Sequence, residues 1–476
     1  MFDPRLLETV LLTTCAWVVW FAYRSFRPRP PLPPGPKGWP IIGNISQLPT
    51  LFTWLTWVDW SRQYGDIFHI NLFGTPMIVI SSPALVSELL DKRHNDYENR
   101  PKLTMASDLV GWNRITPLMP ANKLWREHRR NMSQLFGTKA AVGKFYEIEV
   151  LQARKLMRRI LEDPTEVKNH IQSWAGTMSM KIAYGYDVKG GQDPYLGIAH
   201  KVVSQFLHLN QPGAFMVDSL PWLQYIPAWF PGAAFQRTAK SYRDTLSNLI
   251  DTPFKMGSGT AKQSYTSDLL SADDYTQDRE YALKTSAATI FVGGADTTAG
   301  QLHALLLMFM LYPEIRKKAQ AEIDQVVGPE RLPHFSDRDK LPYVEACLTE
   351  GFRLHTLSPT GGVRVATKDD VLGGYFIPKG AIIQPLTWLI AHDPEVFKDP
   401  LEFVPERYLV DDPPPHPREF TFGYGRRVCP GMILADASMW ISATMFLALF
   451  DISPTKGSPT SFDQFPGGVL DGEPVW

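Results

Sequence analysis

Phe422-Gly423-Tyr424-Gly425-Arg426-Arg427-Val428-Cys429-Pro430-Gly431 sets one cysteine in a glycine-broken loop, directly ahead of an apolar stretch that runs to Phe450. No other part of the chain narrows the fold as much. Glycines at 423, 425 and 431 let the backbone turn tightly and come close to a flat ligand. Arg426 and Arg427 lie within three residues of the sulfur, and positive charge beside a thiol lowers its pKa and favours thiolate. The helix predicted from Cys429 to Phe450 would aim its amino terminus, the positive end of its dipole, at the same sulfur.

Four chemistries compete for such a cysteine. Haem iron needs a thiolate held against a planar cofactor when the proximal ligand must push electron density towards the metal. A tetrahedral zinc site would have to be assembled from remote residues, since no second Cys or His stands at ligand spacing from Cys429. A cysteine-nucleophile hydrolase would need a distant histidine, and nothing around any of the 11 histidines recommends one. A buried structural cysteine leaves the glycines and arginines unexplained. Cys15, Cys347 and Cys429 are the only cysteines, too sparse for a disulfide framework, which points to a reducing compartment.

The charge balance of 48 Lys+Arg against 49 Asp+Glu argues against a nucleic-acid binder or a polybasic surface protein. With 44% hydrophobic residues the chain can bury a large core. Residues 1–23 are expected to form a membrane anchor: Val10 to Tyr23 carries no charge, and reaching back to Leu6 gives about 18 residues broken only by Glu8. Arg24, Arg27 and Arg29 follow at once and place the bulk of the chain in the cytosol. A cleaved signal peptide competes, but the basic residues come after the apolar run and no small-x-small cleavage site precedes them. Residues 24–38 form a proline-rich linker, in which Pro28, Pro30, Pro31, Pro33, Pro34 and Pro36 predict a semi-rigid extended tether. Residues 39–476 then form one catalytic domain.

Short β-like runs lie at Ile67 to Leu72, Met77 to Ile80 and Ile382 to Leu389. Helix-like runs dominate: Pro83 to Arg93, Lys123 to Phe136, Glu147 to Leu161, Tyr281 to Leu311, Pro313 to Val327, Tyr343 to His355 and Cys429 to Phe450. The fold class is α-rich α+β. Ser219 to Pro231, rich in Trp, Tyr and Pro, reads either as a second membrane contact or as buried loop packing. Tyr281 to Leu311 is apolar enough to be weighed as a membrane span, but Asp296, Gln301 and His303 favour a buried central helix.

FGYGRRVCPG resembles the haem loop of the cytochrome P-450 family, F-x-x-G-x-R-x-C-x-G, at every fixed position. Four further signatures stand in the family's order. Pro33-Pro34-Gly35-Pro36 resembles its proline hinge. Trp125-Arg126-Glu127-His128-Arg129 matches W-x-x-x-R, whose ends share a helix face four residues apart. Gly293-Gly294-Ala295-Asp296-Thr297-Thr298 resembles the oxygen-activation motif [AG]-G-x-[DE]-T; paired glycines weaken the helix, a threonine hydroxyl can bond a backbone carbonyl, and Asp296 can feed protons. The residues alone also allow a glycine packing notch with an incidental acid. Glu350-Gly351-Phe352-Arg353, with Arg407 in Pro405-Glu406-Arg407-Tyr408, is similar to the family's E-x-x-R network.

The resemblance implies a cytochrome P-450 fold, mainly helical with small β-sheets, and haem b (iron protoporphyrin IX) as cofactor. It implies Cys429 as axial ligand, and Arg427, Trp125, Arg129 and Arg364 at the propionates, with Phe422 and Gly431 completing the loop. It makes Thr297 and Asp296 the proton-delivering pair, and Glu350, Arg353 and Arg407 a structural charge network. The activity implied is mono-oxygenation: one atom of O2 enters a lipophilic small molecule, in style a terpenoid, polyketide or indole skeleton of fungal secondary metabolism. The chain carries no nucleotide-binding signature, since Gly423-x-Gly425 lacks the third glycine and a βαβ context. Electrons are therefore expected from NADPH through a flavoprotein cytochrome reductase on the same endoplasmic-reticulum membrane, as in class II members. Arg126, Arg130 and Arg426 are candidate reductase contacts or simply a solvated basic face.

By position in the family, the substrate walls fall at Met105 to Met119, Phe206 to Met216, Ile290 to Thr298, Pro359 to Val363 and Gly468 to Leu470. The family's closing hairpin is expected to be short here, with Pro466 to Leu470 as its tip. Two other functions stay open: a haem-thiolate isomerase or dehydratase needing no external electrons, which could dispense with the Asp296-Thr297 pair, and a non-catalytic haem-binding membrane protein.

Overall fold

A computed structural model describes residues 30–49, 52–188, 193–211, 213–257, 264–270 and 276–454. The expected anchor at 1–23 and the hairpin tip at 466–470 lie outside the described residues. Among these residues, helices of ten or more residues are numbered α1 to α10: Thr53–Tyr64, Lys123–Phe136, Tyr146–Glu162, Val167–Tyr184, Pro194–Asn210, Ala234–Gly257, Gln277–Leu311, Pro313–Val326, Pro342–Leu354 and Met432–Leu449.

Helix α7 is the axis of the molecule. Its 35 residues make it about 52 Å long at 1.5 Å per residue. Thr276 starts it, the hydroxyl accepting from Arg279 N–H at 3.2 Å. It packs most extensively on α4 and also meets α2, α5, α6 and α10. One large core, from Trp112 through Phe291 and Leu302 to Trp440, surrounds it. The central-helix expectation therefore holds. Among the described residues one helix, α10, is long and apolar enough to span a membrane, and 67% of it is buried inside the protein.

Strands β1 (Ile67–Leu72), β2 (Thr75–Ile80), β6 (Ile382–Pro385) and β3 (Arg364–Val365) form one sheet in the order β1-β2-β6-β3. Its β1/β2 pair is antiparallel with Ile67 opposite Ile80, β2 and β6 run parallel with Met77 opposite Ile382, and Arg364 of β3 faces Ile383 across an antiparallel pair. Strands β4 (Asp370–Leu372) and β5 (Tyr375–Ile377) make a small hairpin. The proline segment is docked on these sheets. The Pro31 carbonyl accepts from Phe376 N–H and the Pro34 carbonyl from His69 N–H, both at 2.8 Å.

Several boundaries differ from those read in the sequence. The run Ile382 to Leu389 is a strand only to Pro385, after which Thr387–Ala391 turns helical. A short apolar run carries no period that separates the two. Pro83 to Arg93 is α-helical only over Pro83–Ser87 and widens to a π-turn over Glu88–Lys92. The last helix begins at Met432, because the cysteine loop occupies the residues before it. Helices α1, α4, α5 and α6 had no counterpart in the sequence reading.

In Ser219 to Pro231 the aromatic side chains stand out of the protein. Trp222 is 60%, Tyr225 81% and Trp229 79% exposed, which overturns buried loop packing for these rings.

Candidate functional site

The cysteine loop is shaped by two glycines with left-handed backbone. Gly423 has φ +84 and Gly425 φ +54. Gly425 also lies so close to the π-turn that a Cβ there would sit 2.0 Å from the Leu90 carbonyl oxygen. Its N–H donates to Asp91 at 2.8 Å. The Cys429 N–H returns to the Phe422 carbonyl at 2.8 Å, closing the loop, while the Phe422 ring packs 5.4 Å from that of Phe352 on α9. Cys429 is exposed, although the helix that follows is buried.

Although Cys429 is accessible at the surface of the loop, the protein packed around it displaces enough water to push the thiol up, and the Gly431 N–H and the Arg129 charge only partly offset this. Arg426 and Arg427, expected from the sequence to act on the sulfur, are not among the groups that do. Arg426 turns to Glu98 at 3.3 Å, and Arg427 donates to the Glu98 carbonyl at 2.8 Å. A metal on the sulfur would have to supply the missing positive charge.

Behind the loop four guanidinium groups gather, and none of them bonds a carboxylate among the described residues. Arg129 of α2 donates to the Val428 carbonyl at 2.6 Å. Arg364 of β3 donates to the Gly362 carbonyl at 2.8 Å. Arg100 donates to the Val363 carbonyl. Arg427 lies 4.2 Å from the centre of the Trp125 ring. Burial, followed by repulsion from Arg100, brings Arg427 down to about 9. Burial, then repulsion from Arg100 and Arg427, pushes Arg364 well below its ordinary value. Arg100 falls to about 10 through burial. Three buried donors in this cluster, Trp125 Nε1, Arg427 Nη2 and Arg100 Nε, have no acceptor among the described residues.

Buried cations with idle donors are costly unless an anion arrives. Two carboxylates carried by a planar group fit this cradle. No group of three or more His, Cys, Asp or Glu among the described residues could hold a bare ion. The donor set, one open sulfur beside an anion-seeking arginine cluster, therefore fits a metal carried within an anionic macrocycle. The sequence reading missed Arg100, whose one local signal is its place in Asn99-Arg100-Pro101.

On α7 the two motif glycines do different jobs. A Cβ on Gly293 would meet nothing within 4 Å, whereas one on Gly294 would lie 2.4 Å from Ser179 Oγ of α4. One glycine opens a space and the other lets two helices close up. Thr297 donates its hydroxyl to the Gly293 carbonyl at 2.5 Å. Asp296 does not meet Thr297 in any described hydrogen bond. Its Oδ1 lies 3.0 Å from His200 Nδ1 of α5, a partner the sequence reading did not find. Buried His128 spans from α2 to α7, 2.9 Å from Thr116 Oγ1 and 2.8 Å from Thr285 Oγ1. Burial drives it down to about 3, so it is neutral.

Glu350, Arg353 and Arg407 come together as one network. Arg353 clasps both oxygens of Glu350 at 2.8 Å, and Arg407 reaches Glu350 Oε1 at 3.1 Å. The Arg353 fork also donates to the carbonyls of Ala391, Pro400 and Glu402. Of the expected pocket walls, Trp112 and Phe206 meet ring to ring at 4.4 Å. Arg126 and Arg130 stand exposed on α2.

The Cytochrome P450 family pattern matches residues 33–474. Cytochrome P450 monooxygenase 208 of Postia placenta is 39% identical over 399 residues, covering 82% of this chain and 78% of that protein. Cytochrome P450 monooxygenase COX2 of Coprinopsis cinerea is 37% identical, over 83% of this chain and 77% of its own length. Tryptamine 4-monooxygenase of Psilocybe cyanescens is 34% identical, over 84% and 81%. With family coverage of nearly the whole described chain, and relatives named as fungal mono-oxygenases, the chain belongs to the cytochrome P450 family and is a haem b mono-oxygenase.

Proposed function

We propose that this chain inserts one atom of O2 into a lipophilic small molecule of the fungal secondary-metabolite type, with electrons from NADPH passed on by a membrane-bound flavoprotein reductase. The observation that carries the reading is the pairing of an open Cys429 sulfur with four anion-seeking arginines, Arg364 buried and Arg100, Arg129 and Arg427 partly buried. Cys429 would ligate the haem iron, and Arg100, Arg129, Arg364, Arg427 and the Trp125 N–H would hold its propionates. Haem, when bound, supplies the oxygen chemistry.

The chain's residues do the rest. Gly293 leaves room beside α7, Thr297 keeps a hydroxyl at that opening, and Asp296 brings protons to it. The apolar walls, Trp112 and Phe206 among them, exclude water and favour a lipophile. An indole skeleton is one fitting class, and the relative named for tryptamine supports it. Trp222, Tyr225 and Trp229 offer an exposed aromatic belt suited to a membrane interface, in keeping with an anchored enzyme at the endoplasmic reticulum. Arg126 and Arg130 offer a basic face to an acidic reductase.

The test is co-expression with a fungal cytochrome reductase in a host lacking the pathway, fed with terpenoid, polyketide and indole lipophiles. Products heavier by one oxygen atom, dependent on both the chain and NADPH, support the proposal. Turnover that needs neither reductase nor NADPH would overturn it.

A further inference from the structure

Asp296 is tied to another helix. Its Oδ1 lies 3.0 Å from Nδ1 of His200, across the packed faces of α7 and α5. The His200 side chain is 38% exposed and that of Asp296 18%, so the pair grades from water inward. One turn of backbone carries Asp296 and Thr297, whose hydroxyl rests on the Gly293 carbonyl where α7 opens. We propose that His200 is the positioning residue through which protons from bulk water reach Asp296.

The inference rests on the reading of Asp296 as the proton donor of the site. Water protonates Nε2 of the neutral ring, the Nδ1 proton passes to Asp296 Oδ1, and the ring is left neutral with its proton on Nε2. Exchange with water then restores the first tautomer, so each cycle moves one proton and no electrons.

The surroundings leave this link isolated. Helix α4 brings Lys181, which is committed to Asp187 at 2.6 Å. Helix α6 brings Tyr242, which pairs with His208 of α5 itself, and Arg243, which donates to the Leu109 carbonyl. The turn Thr104–Val110 brings Asp108, which pairs with Lys102 at 2.8 Å. On α5, Lys201 is exposed beside His200. Among these groups only Asp296 acts on the ring: its hydrogen bond raises the His200 pKa, opposed by burial. A solvent-facing base that stays protonated above the usual range is suited to loading a carboxylate near neutrality.

Two measurements on the holoenzyme test this. The first is a titration of ring-labelled histidines by NMR in the reduced, carbon-monoxide-capped protein. The His200 signal should titrate above ~6.5 in the wild type and fall back in D296N. The second is NADPH oxidation with reductase and no organic substrate, taken as the H200Q to wild-type ratio across pH so that the reductase's own profile cancels. The ratio should be about one-tenth near pH 6 and approach one above the His200 pKa. A pH-independent H200Q ratio beside a slowed D296N overturns the inference and leaves the Asp296 reading standing. Unaltered rates in both variants overturn the Asp296 reading and the inference with it. Should H200Q fail to fold, the titration decides alone, and a His200 signal indifferent to D296N overturns the pairing.

Discussion

Arg427 lies 4.2 Å from the centre of the Trp125 ring, and each keeps one buried donor without an acceptor, Nη2 on the one and Nε1 on the other. A cation over an aromatic ring, with an idle donor on each, describes a prepared anion seat. Trp125→Phe keeps the stacking surface and removes only the N–H. It should speed haem loss to an excess acceptor protein by about tenfold, the cost of one hydrogen bond to a charged group. Arg427→Ala should exceed that. Equal haem retention in both variants would remove these residues from the cofactor site.

Cys429→Ser changes one atom at the open end of the loop. The shifted Soret band of the reduced carbon monoxide complex should disappear, because it depends on sulfur ligation. An unchanged band would refute the ligand assignment. Far-ultraviolet circular dichroism should stay native-like, since the side chain is exposed while the loop is closed by the backbone bond to Phe422.

The two left-handed glycines of the loop should respond unequally to alanine. Gly423→Ala introduces backbone strain, its nearest obstacle being the Arg427 carbonyl oxygen at 3.6 Å. That strain should cost about 1–2 kcal/mol in urea unfolding. Gly425→Ala adds a collision with the Leu90 carbonyl oxygen at 2.0 Å, a backbone atom that cannot swing away. Its loss should be at least twice as large, with poor haem incorporation. Equal midpoints would mean that the loop does not sit against the π-turn.

What could be read ahead of the structure was local. The Cys429 loop, Trp125 with Arg129, and Glu350 with Arg353 lie within ten residues of each other, so spacing alone placed them together. Helix α2 showed its pattern because it is buried on one side, at Trp125, His128, Met132 and Leu135. Helix α4 hid because Trp174 through Met180 are all buried and leave no polar stripe to set a period. Helix α6 was legible in principle, since Leu246, Leu249, Ile250 and Phe254 recur at helical spacing and are buried. Arg100 and His200 had no local signal. Their meaning comes from partners far along the chain, Arg364 and Arg427 for one and Asp296 for the other.

Glu149 of α3 is a buried acid. Ser438 donates to its Oε1 at 2.9 Å, and its Oε2 has no partner among the described residues. Burial raises its pKa to about 8. The folded state therefore binds a proton there that the unfolded chain releases from about pH 4.5 upward. Stability should fall as pH climbs through that window and level off above about 8, with a slope of at most ~1.4 kcal/mol per pH unit from this group. Glu149→Gln should remove that component. The gap between variant and wild type in thermal unfolding should widen from pH 5 to 8, and parallel curves would show that Glu149 is ionised in the fold.

Arg353 and Glu350 are both wholly buried and clasp through two bonds of 2.8 Å. Such a pair adds little net stability over an apolar replacement, yet breaking it leaves a charge in the core. Arg353→Ala leaves Glu350 with Arg407 and the Val404 N–H, both on Oε1, and idles the carbonyls of Ala391, Pro400 and Glu402. The loss should be about 3–5 kcal/mol, enough to yield little folded, haem-loaded protein. Glu350→Gln keeps the shape but leaves two buried guanidinium groups without a counter-charge, and should be similarly severe. Replacing both residues should cost less than the sum of the two single losses, because each single change already includes the penalty of the abandoned partner. Additive losses in a double-mutant cycle would mean that the two side chains act independently and that the clasp is not what holds this region.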